Sequence, residues 1–222
     1  MDDIKTTTAG LGDMFPEMTV KTTQGVKHLP EDYKGEWVVL FSHPGDFTPV
    51  CTTEFIGFSK KMKEFDALNT KLIGLSVDQL QSHLKWVEWI NANSDTTIKF
   101  PIIADELGIV ATKLGMLHKA KGTNTVRAVY ILDDKGVIRL TMFYPQEVGR
   151  SVNEVLRALK ALQISTKNMV ACAENYPDND YIGKNKVIIP PASTEKEIEQ
   201  RKEAVRKGEL ESKDWWLCYR NL

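Results

Sequence analysis

The chain has 222 residues, of which 29 are basic and 30 acidic, and its formal net charge is −1. This length is sufficient for one domain with an appendage or for two small domains. The near balance of charge argues against binding to nucleic acid or to a membrane surface, and no stretch approaches the roughly 20 apolar residues of a membrane span.

Strands and helices alternate in the predicted order of elements. Apolar runs predict strands at 38–43, 72–77, 100–104, 128–132 and 137–143. Helical spacing of apolar residues predicts helices at 51–68, 82–93, 109–117 and 151–162. Helices between the earlier strands favour parallel crossovers, whereas the turn at 133–136 indicates a hairpin between the last two strands. We therefore expect an α/β fold that resembles the thioredoxin-like fold, with helices flanking a mixed, mostly parallel sheet.

The pattern changes after residue 168. We expect domain boundaries at 1–168 for the α/β domain and 169–222 for a C-terminal extension, which is too short and polar to carry its own core. A charged helix is predicted at 195–207 within the extension. The tail also contains Trp215 and Trp216, and aromatic residues are enriched in subunit contacts. The extension is therefore expected to pack on a partner subunit.

The most informative segment lies between the first predicted parallel strand and its helix. Thr48 is a favoured N-cap residue and Pro49 a favoured first helical residue. Cys51 then takes the third helical position, where its thiol faces unpaired backbone N–H groups and the positive end of the helix dipole. Both features favour the thiolate, which is the nucleophilic form of cysteine. The sequence therefore predicts a reactive cysteine at position 51.

The remaining cysteines, Cys172 and Cys218, lie far from Cys51 in the sequence. An odd number of cysteines without a C-x-x-C pair argues against a disulfide scaffold, a thioredoxin-type dithiol and a structural zinc site. The four histidines show no ligand spacing. Residues 1–8 lack the apolar run of a secretory signal. These features predict a cytoplasmic protein, since thiols are kept reduced there.

The motif Pro44-x-x-x-Thr48-x-x-Cys51 resembles the peroxiredoxins, which are thiol peroxidases of the thioredoxin-like fold. The resemblance covers nearly the whole chain and points to the one-cysteine-like subgroup. It is also carried by Gly12-Asp13-x-x-Pro16, Phe41-Ser42-His43, Thr52-Thr53-Glu54, Arg127, Tyr144-Pro145 and Gly149-Arg150-Ser151-Val152-Asn153-Glu154. The ending Asp214-Trp215-Trp216-Leu217-Cys218 is similar to archaeal-type members that resolve the oxidised enzyme with a cysteine at this place.

The resemblance implies a peroxidase that reduces hydrogen peroxide and organic hydroperoxides. Cys51 would be the peroxidatic nucleophile and would become a sulfenic acid. Thr48 would donate its hydroxyl to the thiolate or the peroxide, and Arg127 would stabilise the thiolate and polarise the peroxide. Pro44 would shield the thiolate from water, and His43 would flank the substrate pocket. No metal or organic cofactor is required by the motif.

Two further residues are expected to support this site. Glu54 would orient an arginine. Arg150 is a candidate for a residue that supports the substrate-contacting side chains without contacting the substrate itself. Simpler roles stay open for several of the residues. Thr48 could be only an N-cap, Glu54 could only favour the helix dipole, and His43 could be a packed core residue. Arg127 could likewise be a surface arginine on its strand.

Recycling of the sulfenic acid has two candidates. The resemblance implies that Cys218 of a partner subunit forms a disulfide with Cys51, and that thioredoxin or a similar thiol donor reduces it. Cys172 is the competing resolving residue, or a structural cysteine. Archaeal-type relatives often carry another cysteine six residues before the resolving one, and here that position is Ser212. The resemblance also implies a homodimer and its assembly into a decamer.

Two other functions are weighed against the peroxidase. Animal members of the subgroup are described as phospholipases with a nearby serine, but its place is taken here by Glu36, which argues against lipase activity. A non-enzymatic role as an oligomeric holdase chaperone or a peroxide sensor stays open. Turnover with a thiol reductant separates an enzyme from a sensor, which would be oxidised once per chain.

Overall fold

The computed structural model describes residues 8–117, 122 and 124–222. The chain forms two compact units, Met1–Val152 and Asn153–Leu222. The helix that begins at this division ends at Asn168, which is where the sequence predicts the start of the C-terminal extension.

The first unit contains a seven-stranded sheet with helices between its strands. Its strands are β1 (Met18–Thr22), β2 (Gly25–Leu29), β3 (Trp37–Ser42), β4 (Thr70–Ser76), β5 (Ile102–Ala104), β6 (Arg127–Leu132) and β7 (Ile138–Tyr144). Its α-helices are α1 (Pro49–Lys60), α2 (Met62–Ala67), α3 (Leu80–Asn93) and α4 (Ile109–Lys113), and a 3₁₀ helix spans Glu31–Tyr33.

The strand order β2-β1-β5-β4-β3-β6-β7 confirms the mixed α/β sheet and the thioredoxin-like fold. The expectation of a mostly parallel sheet is wrong, because four of the six neighbouring strand pairs are antiparallel. Strands β3, β4 and β5 are parallel neighbours, as expected from their helical crossovers. Strand β6 is antiparallel to both β3 and β7, and the predicted hairpin joins β6 to β7. The N-terminal hairpin of β1 and β2 was not predicted, because few of its residues are buried and it therefore lacks an apolar run.

The predicted helix at 51–68 is two helices in the structure. Helix α1 starts at Pro49 and ends at Lys60, and Lys61 leaves helical geometry with φ −96° and ψ 3°. Phe58 before the break and Phe65 after it are both buried. The apolar periodicity therefore continues across the break, which is why the sequence pattern resembled a single helix.

An aromatic cluster fixes α1 to the central strand of the sheet. Every residue of β3 is buried, and the Phe41 ring stacks on Phe58 with 4.1 Å between ring centroids. Phe55 meets Phe41 edge-on at 5.3 Å and lies 5.5 Å from Phe100. This packing places the first turn of α1 at the carboxyl end of β3, where α/β sheets commonly carry their sites.

The second unit combines two helices with a small antiparallel sheet. Helix α5 (Val152–Asn168) begins at the division between the units, and α6 (Glu195–Arg206) confirms the predicted charged helix. The sheet order is β10-β11-β9-β8. Its strands are β8 (Ala171–Cys172), β9 (Lys186–Ile188), β10 (Glu211–Asp214) and β11 (Leu217–Asn221). These strands have two to five residues each, which is too short for periodicity to predict them.

The expectation that the C-terminal region carries no core of its own is wrong. Val170, Tyr176 and Val187 form a small buried cluster within the second unit, and Ala161 and Ile164 of α5 pack against it. The cluster exists because α5 contributes apolar residues that precede the predicted boundary. Among residues 8–117, 122 and 124–222, none of the helices has the length and apolar character that a membrane crossing requires.

The contact between β4 and α1 predicts a sensitive position at Gly74. A Cβ atom there would lie 3.1 Å from Cζ of Phe55, and the aromatic cluster leaves Phe55 little room to move. We expect Gly74→Ala to lower the free energy of unfolding by about 1–3 kcal/mol, as overpacking does in other cores. Chemical denaturation measures this loss. Gly10→Ala, where the nearest atom is 3.8 Å away, is the control, and equal stability of both variants would contradict the expectation.

Candidate active site

Cys51 occupies the third position of α1, as the sequence predicts, and is completely buried. Thr48 is the N-cap residue, with extended backbone geometry at φ −102° and ψ 142°, and Pro49 is the first helical residue. The sulfur therefore lies beside the first turn of a helix, whose backbone N–H groups have no partner within the helix. This arrangement favours negative charge on the sulfur.

The Thr48 side chain differs from the expected capping geometry. Its hydroxyl makes no capping hydrogen bond to α1 and donates instead to the carbonyl of Gly45 at 2.8 Å. This bond closes the turn between β3 and α1, where Pro44 lies half-buried. The oxygen of Thr48 keeps its lone pairs available as hydrogen-bond acceptors.

Arg127 brings a positive charge to the sulfur. It is the first residue of β6, as predicted, and only 2% of its surface is exposed. Its Nη1 donates to Cys51 Sγ at 3.3 Å and to Glu54 Oε2 at 2.7 Å. Its Nε and Nη2 both donate to the carbonyl of Gln146. Arg127 is therefore not a surface strand residue, and its orientation is held from two sides.

Glu54 connects the two buried arginines. Arg150 Nε and Nη2 each donate to one Glu54 oxygen at 2.8 Å, and the backbone N–H of Arg150 donates to Oε1 at 2.7 Å. A Cβ atom at Gly149 would lie 3.3 Å from Cγ1 of Val50, so glycine allows the chain to pass close to the first turn of α1. Burial alone would raise the pKa of Glu54, but the hydrogen bonds and charge of Arg150, with the charge of Arg127, lower it overall.

The charges of this network do not balance without the sulfur. Arg127 and Arg150 carry one positive charge each, and Glu54 supplies one negative charge at 2.7–2.8 Å from both. Arg150 is turned away toward Glu54 and the carbonyl of Ala128, whereas Arg127 contacts the sulfur. A thiolate at Cys51 would neutralise the remaining positive charge, and unpaired charge is costly in a buried site.

A second buried polar cluster lies beside the turn. Asp46 is held between two histidines, with His43 Nε2 at 2.8 Å from Oδ1 and His83 Nδ1 at 2.8 Å from Oδ2. Burial lowers the pKa of His43 despite the carboxylate beside it. Burial would raise the pKa of Asp46, but hydrogen bonds from both histidines lower it overall. His43 and His83 are distant in the sequence, yet both contact Asp46. Their spacing in the sequence did not indicate this arrangement.

The donor types of this cluster suit a transition metal, but their separations suit hydrogen bonds. The three side chains could present imidazole and carboxylate ligands to one ion. Two ligands about 2.1 Å from a tetrahedral ion would be about 3.4 Å apart. The observed separations of 2.8 Å leave space for a shared proton rather than a metal.

The C-terminal cysteines lie in the second unit and are both reduced. Cys218, in β11, is buried, and its thiol donates to the carbonyls of Trp215 at 3.4 Å and Asp214 at 3.7 Å. Cys172, in β8, is half-buried and donates to the carbonyl of Ala161 at 3.4 Å. Burial raises the pKa of both thiols. Each is therefore held as a protonated donor in this conformation.

Hydrogen bonds in the first unit bring together Cys51, Glu54, Arg127 and Arg150. His43, Pro44 and Thr48 lie in the adjoining segment between β3 and α1. Sequence reasoning did not identify Gln146, Asp46 or His83. Gln146 acts through its main-chain carbonyl, which every residue possesses, so no side-chain signal could have found it. Asp46 lies within the motif segment, so the sequence could have identified it as a candidate site residue. His83 lies on a different element, so only the folded structure links it to the site.

An apolar cavity lies next to the N-terminus of α1. Its volume is about 280 Å³, and it is lined by Phe47, Thr48, Pro49, Thr52, Trp86 and Trp89. Thr52 accepts a hydrogen bond from the Trp86 indole at 3.3 Å, so α3 is tied to the first turn of α1. Three of the six lining residues are aromatic, and such walls would suit an apolar ligand.

Comparison with known proteins gives consistent results. The AhpC/TSA family profile matches residues 11–141. Peroxiredoxin 1 of Caldanaerobacter subterraneus subsp. tengcongensis is 61% identical over 212 residues, covering 96% of this chain and 98% of the relative. A peroxiredoxin of Methanocaldococcus jannaschii is 60% identical over 214 residues, with coverage of 96% and 98%.

Solved structures of similar fold include two peroxiredoxins. One is the yeast mitochondrial 1-Cys peroxiredoxin, solved to explain how its thiol is resolved through the glutathione and thioredoxin systems. It has a TM-score of 0.81, 36% identity, and coverage of 96% of this chain and 99% of that chain. The other is a cysteine-to-serine mutant of peroxiredoxin 6 of Arenicola marina, with a TM-score of 0.82, 30% identity, and coverage of 96% and 97%.

The double ion pair predicts that Glu54 is essential for stability. We expect Glu54→Gln to lower the free energy of unfolding by about 3–5 kcal/mol, because it leaves two buried guanidinium groups without their carboxylate. The pKa of Glu54 is lowered from its ordinary 4.5, so this contribution is present above that pH and is lost as the pH falls below it. Denaturation at several pH values measures both effects.

The control for this experiment is Glu88→Gln, which removes a carboxylate from an exposed pair with Lys85. Exposed pairs contribute little, so the control should resemble the unsubstituted protein. A Glu54→Gln variant as stable as the control, or a difference that persists unchanged at acid pH, would contradict the expectation.

Proposed function

The chain belongs to the AhpC/TSA family and is a peroxiredoxin, a thiol peroxidase, and we propose that Cys51 is the residue oxidised by its peroxide substrate. One observation carries this proposal: a completely buried sulfur at a helix N-terminus accepts a hydrogen bond from Arg127 at 3.3 Å. Such surroundings favour the thiolate that the reaction requires.

The proposed reaction begins with attack of the Cys51 thiolate on one oxygen of the hydroperoxide. A sulfur–oxygen bond forms while the oxygen–oxygen bond breaks, and the leaving oxygen takes a proton to become water or an alcohol. Sulfur is oxidised to a sulfenic acid and the peroxide is reduced. Negative charge spreads from sulfur to both oxygens, so donors aimed at these atoms accelerate the step.

Arg127 is proposed to supply these donors. Its Nη1 already contacts the sulfur, while Gln146 and Glu54 hold the remainder of the guanidinium. A donor fixed in this way needs little reorganisation as charge moves from sulfur to oxygen. Glu54 and Arg150 are proposed as positioning residues, because they act on the sulfur through Arg127.

Three residues of the turn are proposed to surround the substrate. Thr48 donates to Gly45 in this structure, so its oxygen would accept the hydrogen of the hydroperoxide rather than donate to it. Pro44 would shield the thiolate from water, and His43 would line the inner wall. The adjoining aromatic cavity of about 280 Å³ supports organic hydroperoxides as substrates beside hydrogen peroxide.

We propose that Cys218 of a partner subunit resolves the sulfenic acid as an inter-subunit disulfide. Its place in the tail segment supports this role, and Cys172, in β8, stays the competing residue. Both Cys51 and Cys218 are buried, so the disulfide requires local rearrangement around each. Thioredoxin or a similar thiol would then reduce the disulfide, as the systems named for the yeast mitochondrial relative suggest.

The assembly proposed for this cycle is a homodimer that forms a decamer. The C-terminal extension, at 169–222, would pack on the partner subunit and present Cys218 to it. Trp216 supports this arrangement, because 53% of its surface is exposed in the single chain and aromatic side chains are common in subunit contacts. We also propose action in the cytoplasm, because three widely spaced cysteines do not encode a disulfide scaffold.

Replacement of the proposed nucleophile tests the function. We expect Cys51→Ser to abolish peroxide consumption, because the hydroxyl is not ionised near neutral pH and cannot reduce a peroxide. Cys172→Ser is the matched control and should keep the first oxidation step. Retained turnover by Cys51→Ser would refute the proposal. Alkylation of Cys51 at mildly acid pH should also be faster than that of an ordinary thiol.

Removal of the proposed cation tests the role of Arg127. Arg127→Ala should slow peroxide reduction by about 100-fold or more, the usual cost of losing a transition-state donor. It should also slow alkylation of Cys51 at mildly acid pH, because Glu54 and Arg150 then balance each other and leave the thiolate without a counter-charge. Arg139→Ala removes an arginine that pairs with Asp133 in the turn between β6 and β7 and is the control. Equal rates in the two variants would contradict the role.

The resolving residue is tested by the disulfide it forms. After one equivalent of peroxide, the unsubstituted protein should run as a covalent dimer on a non-reducing gel, and Cys218→Ser should run as a monomer with Cys51 oxidised beyond the thiol. Cys172→Ser should still form the dimer. If Cys172→Ser removes the dimer and Cys218→Ser keeps it, then Cys172 is the resolving residue.

A further inference from the structure

The main chain of Arg127 is paired with another strand on one side only. Arg127 is the first residue of β6, and on the side of β7 it pairs with Tyr144. On the other side, the pairing of β3 with β6 ends at Val129, two residues short of Arg127. The position of this main chain on the side of β3 is therefore set by contacts other than strand pairing.

The hydroxyl of Ser42 supplies two such contacts. Ser42 is the last residue of β3 and is completely buried. Its Oγ donates to the carbonyl of Val126 at 2.6 Å and accepts from the N–H of Ala128 at 3.0 Å. A hydroxyl can donate and accept at the same time. This one side chain therefore bonds to both peptide groups that flank the Cα atom of Arg127.

A second hydroxyl holds the residues just before Arg127. Thr125 is completely buried, and its Oγ1 donates to the main-chain carbonyl of His43, the residue that follows Ser42. Gln146 Nε2 donates to the carbonyl of Thr125 at 3.4 Å, and the carbonyl of Gln146 accepts from Arg127. The two hydroxyls thus join the segment that carries Arg127 to the end of β3, where the strand pairing has stopped.

Ser42 lies on the face of the sheet that is turned away from α1. Side chains alternate between the two faces along a strand, and the preceding residue, Phe41, stacks on Phe58 of α1. Ser42 therefore points to the opposite face, as Leu40 does. An effect of Ser42 on Cys51 has to pass through the main chain of Arg127.

The bond from Arg127 to the sulfur depends on where this main chain lies. Nη1 donates to Cys51 Sγ at 3.3 Å and to Glu54 Oε2 at 2.7 Å. A misplacement of about 1 Å close to reacting atoms can cost about 100-fold in rate. We therefore expect contacts that fix the main chain of Arg127 to contribute to the rate of the reaction.

We propose that Ser42 and Thr125 are positioning residues of the peroxidase site, whose hydroxyl groups fix the main chain at Arg127 and thereby hold its guanidinium against the sulfur of Cys51. This inference rests on the proposed roles of Cys51 and Arg127. It adds that the reactivity of the sulfur depends on a polar contact made on the opposite face of the sheet.

Ser42→Ala tests this role. The variant removes the donor to Val126 and the acceptor for Ala128, so the main chain at Arg127 loses these contacts with β3. We expect peroxide reduction to slow by about tenfold. Alkylation of Cys51 at mildly acid pH should slow as well, because a displaced guanidinium stabilises the thiolate less.

The matched control is Ser59→Ala. Ser59 is a buried serine near the end of α1, and its Oγ donates to the carbonyl of Thr97 at 2.7 Å. This variant also removes a buried hydroxyl that bonds to a main-chain carbonyl, but it leaves the contacts of Arg127 intact. Its peroxide rate should equal that of the unsubstituted protein. A Ser42→Ala rate equal to that of the control would overturn the proposal.

A double-mutant cycle with Arg127→Ala separates positioning from a general loss of stability. If Ser42 acts through Arg127, adding Ser42→Ala to Arg127→Ala should change the peroxide rate by less than about twofold. A general disturbance of the fold would instead lower the rate by the same factor with and without Arg127→Ala. That result would overturn the positioning role.

Thr125 provides a second pair of variants, which also decides the case if Ser42→Ala does not fold. Thr125→Val keeps the branched shape and loses the hydroxyl, whereas Thr125→Ser keeps the hydroxyl. We expect the first variant to reduce peroxide about threefold or more slowly than the second, and this difference to vanish in combination with Arg127→Ala. Equal rates of the two Thr125 variants would overturn the proposal.

The outcomes distinguish this inference from the proposed function. Retained turnover by Cys51→Ser would refute the function itself. A slow Arg127→Ala variant, together with unchanged rates for Ser42→Ala and Thr125→Val, would overturn only the positioning role. Cys51 would then remain the nucleophile and Arg127 its cation.

Discussion

The charge balance around one buried sulfur is the constraint on which the rest of the site depends. Two guanidinium groups and one carboxylate are enclosed with Cys51, and their charges sum to a single positive excess. Glu54 forms ion pairs with both arginines. Of these two arginines, Arg127 also donates a hydrogen bond to the sulfur. Burial raises the cost of an unpaired charge. A thiolate at Cys51 would complete the charge balance, so the proposed reactivity of the sulfur and the stability of the site depend on the same arrangement.

The fold maintains this geometry through apolar packing. The aromatic cluster of Phe41, Phe55 and Phe58 binds α1 to the central strand, so the first turn of the helix cannot shift without disturbing the core. Strand β6 lies beside β3 in the sheet, and Arg127 is its first residue. The sulfur and the guanidinium thus come from neighbouring secondary-structure elements, and their separation is set by strand pairing and aromatic contacts rather than by flexible loops.

The second buried polar cluster is built on the same principle. Asp46 lies 2.8 Å from a ring nitrogen of His43 and 2.8 Å from a ring nitrogen of His83, so the segment before α1 is joined to α3. Buried polar groups depend strongly on such partners, because the surrounding protein offers them no water. Around Cys51, by contrast, an excess of positive charge remains beside the sulfur.

The sequence by itself determined the α/β class, most of the central strands and the place of Cys51 in the first turn of α1, because these depend on local signals. These signals are apolar periodicity, an N-cap followed by proline, and a motif of eight residues. Each of them involves residues that are close together in the sequence. Only the tertiary structure decided that α1 ends at Lys60, that Thr48 bonds to Gly45 instead of capping its helix, and that the carbonyl of Gln146 holds Arg127. It alone joined His43 to His83, since contacts between distant elements arise from packing and leave no periodic trace in the chain.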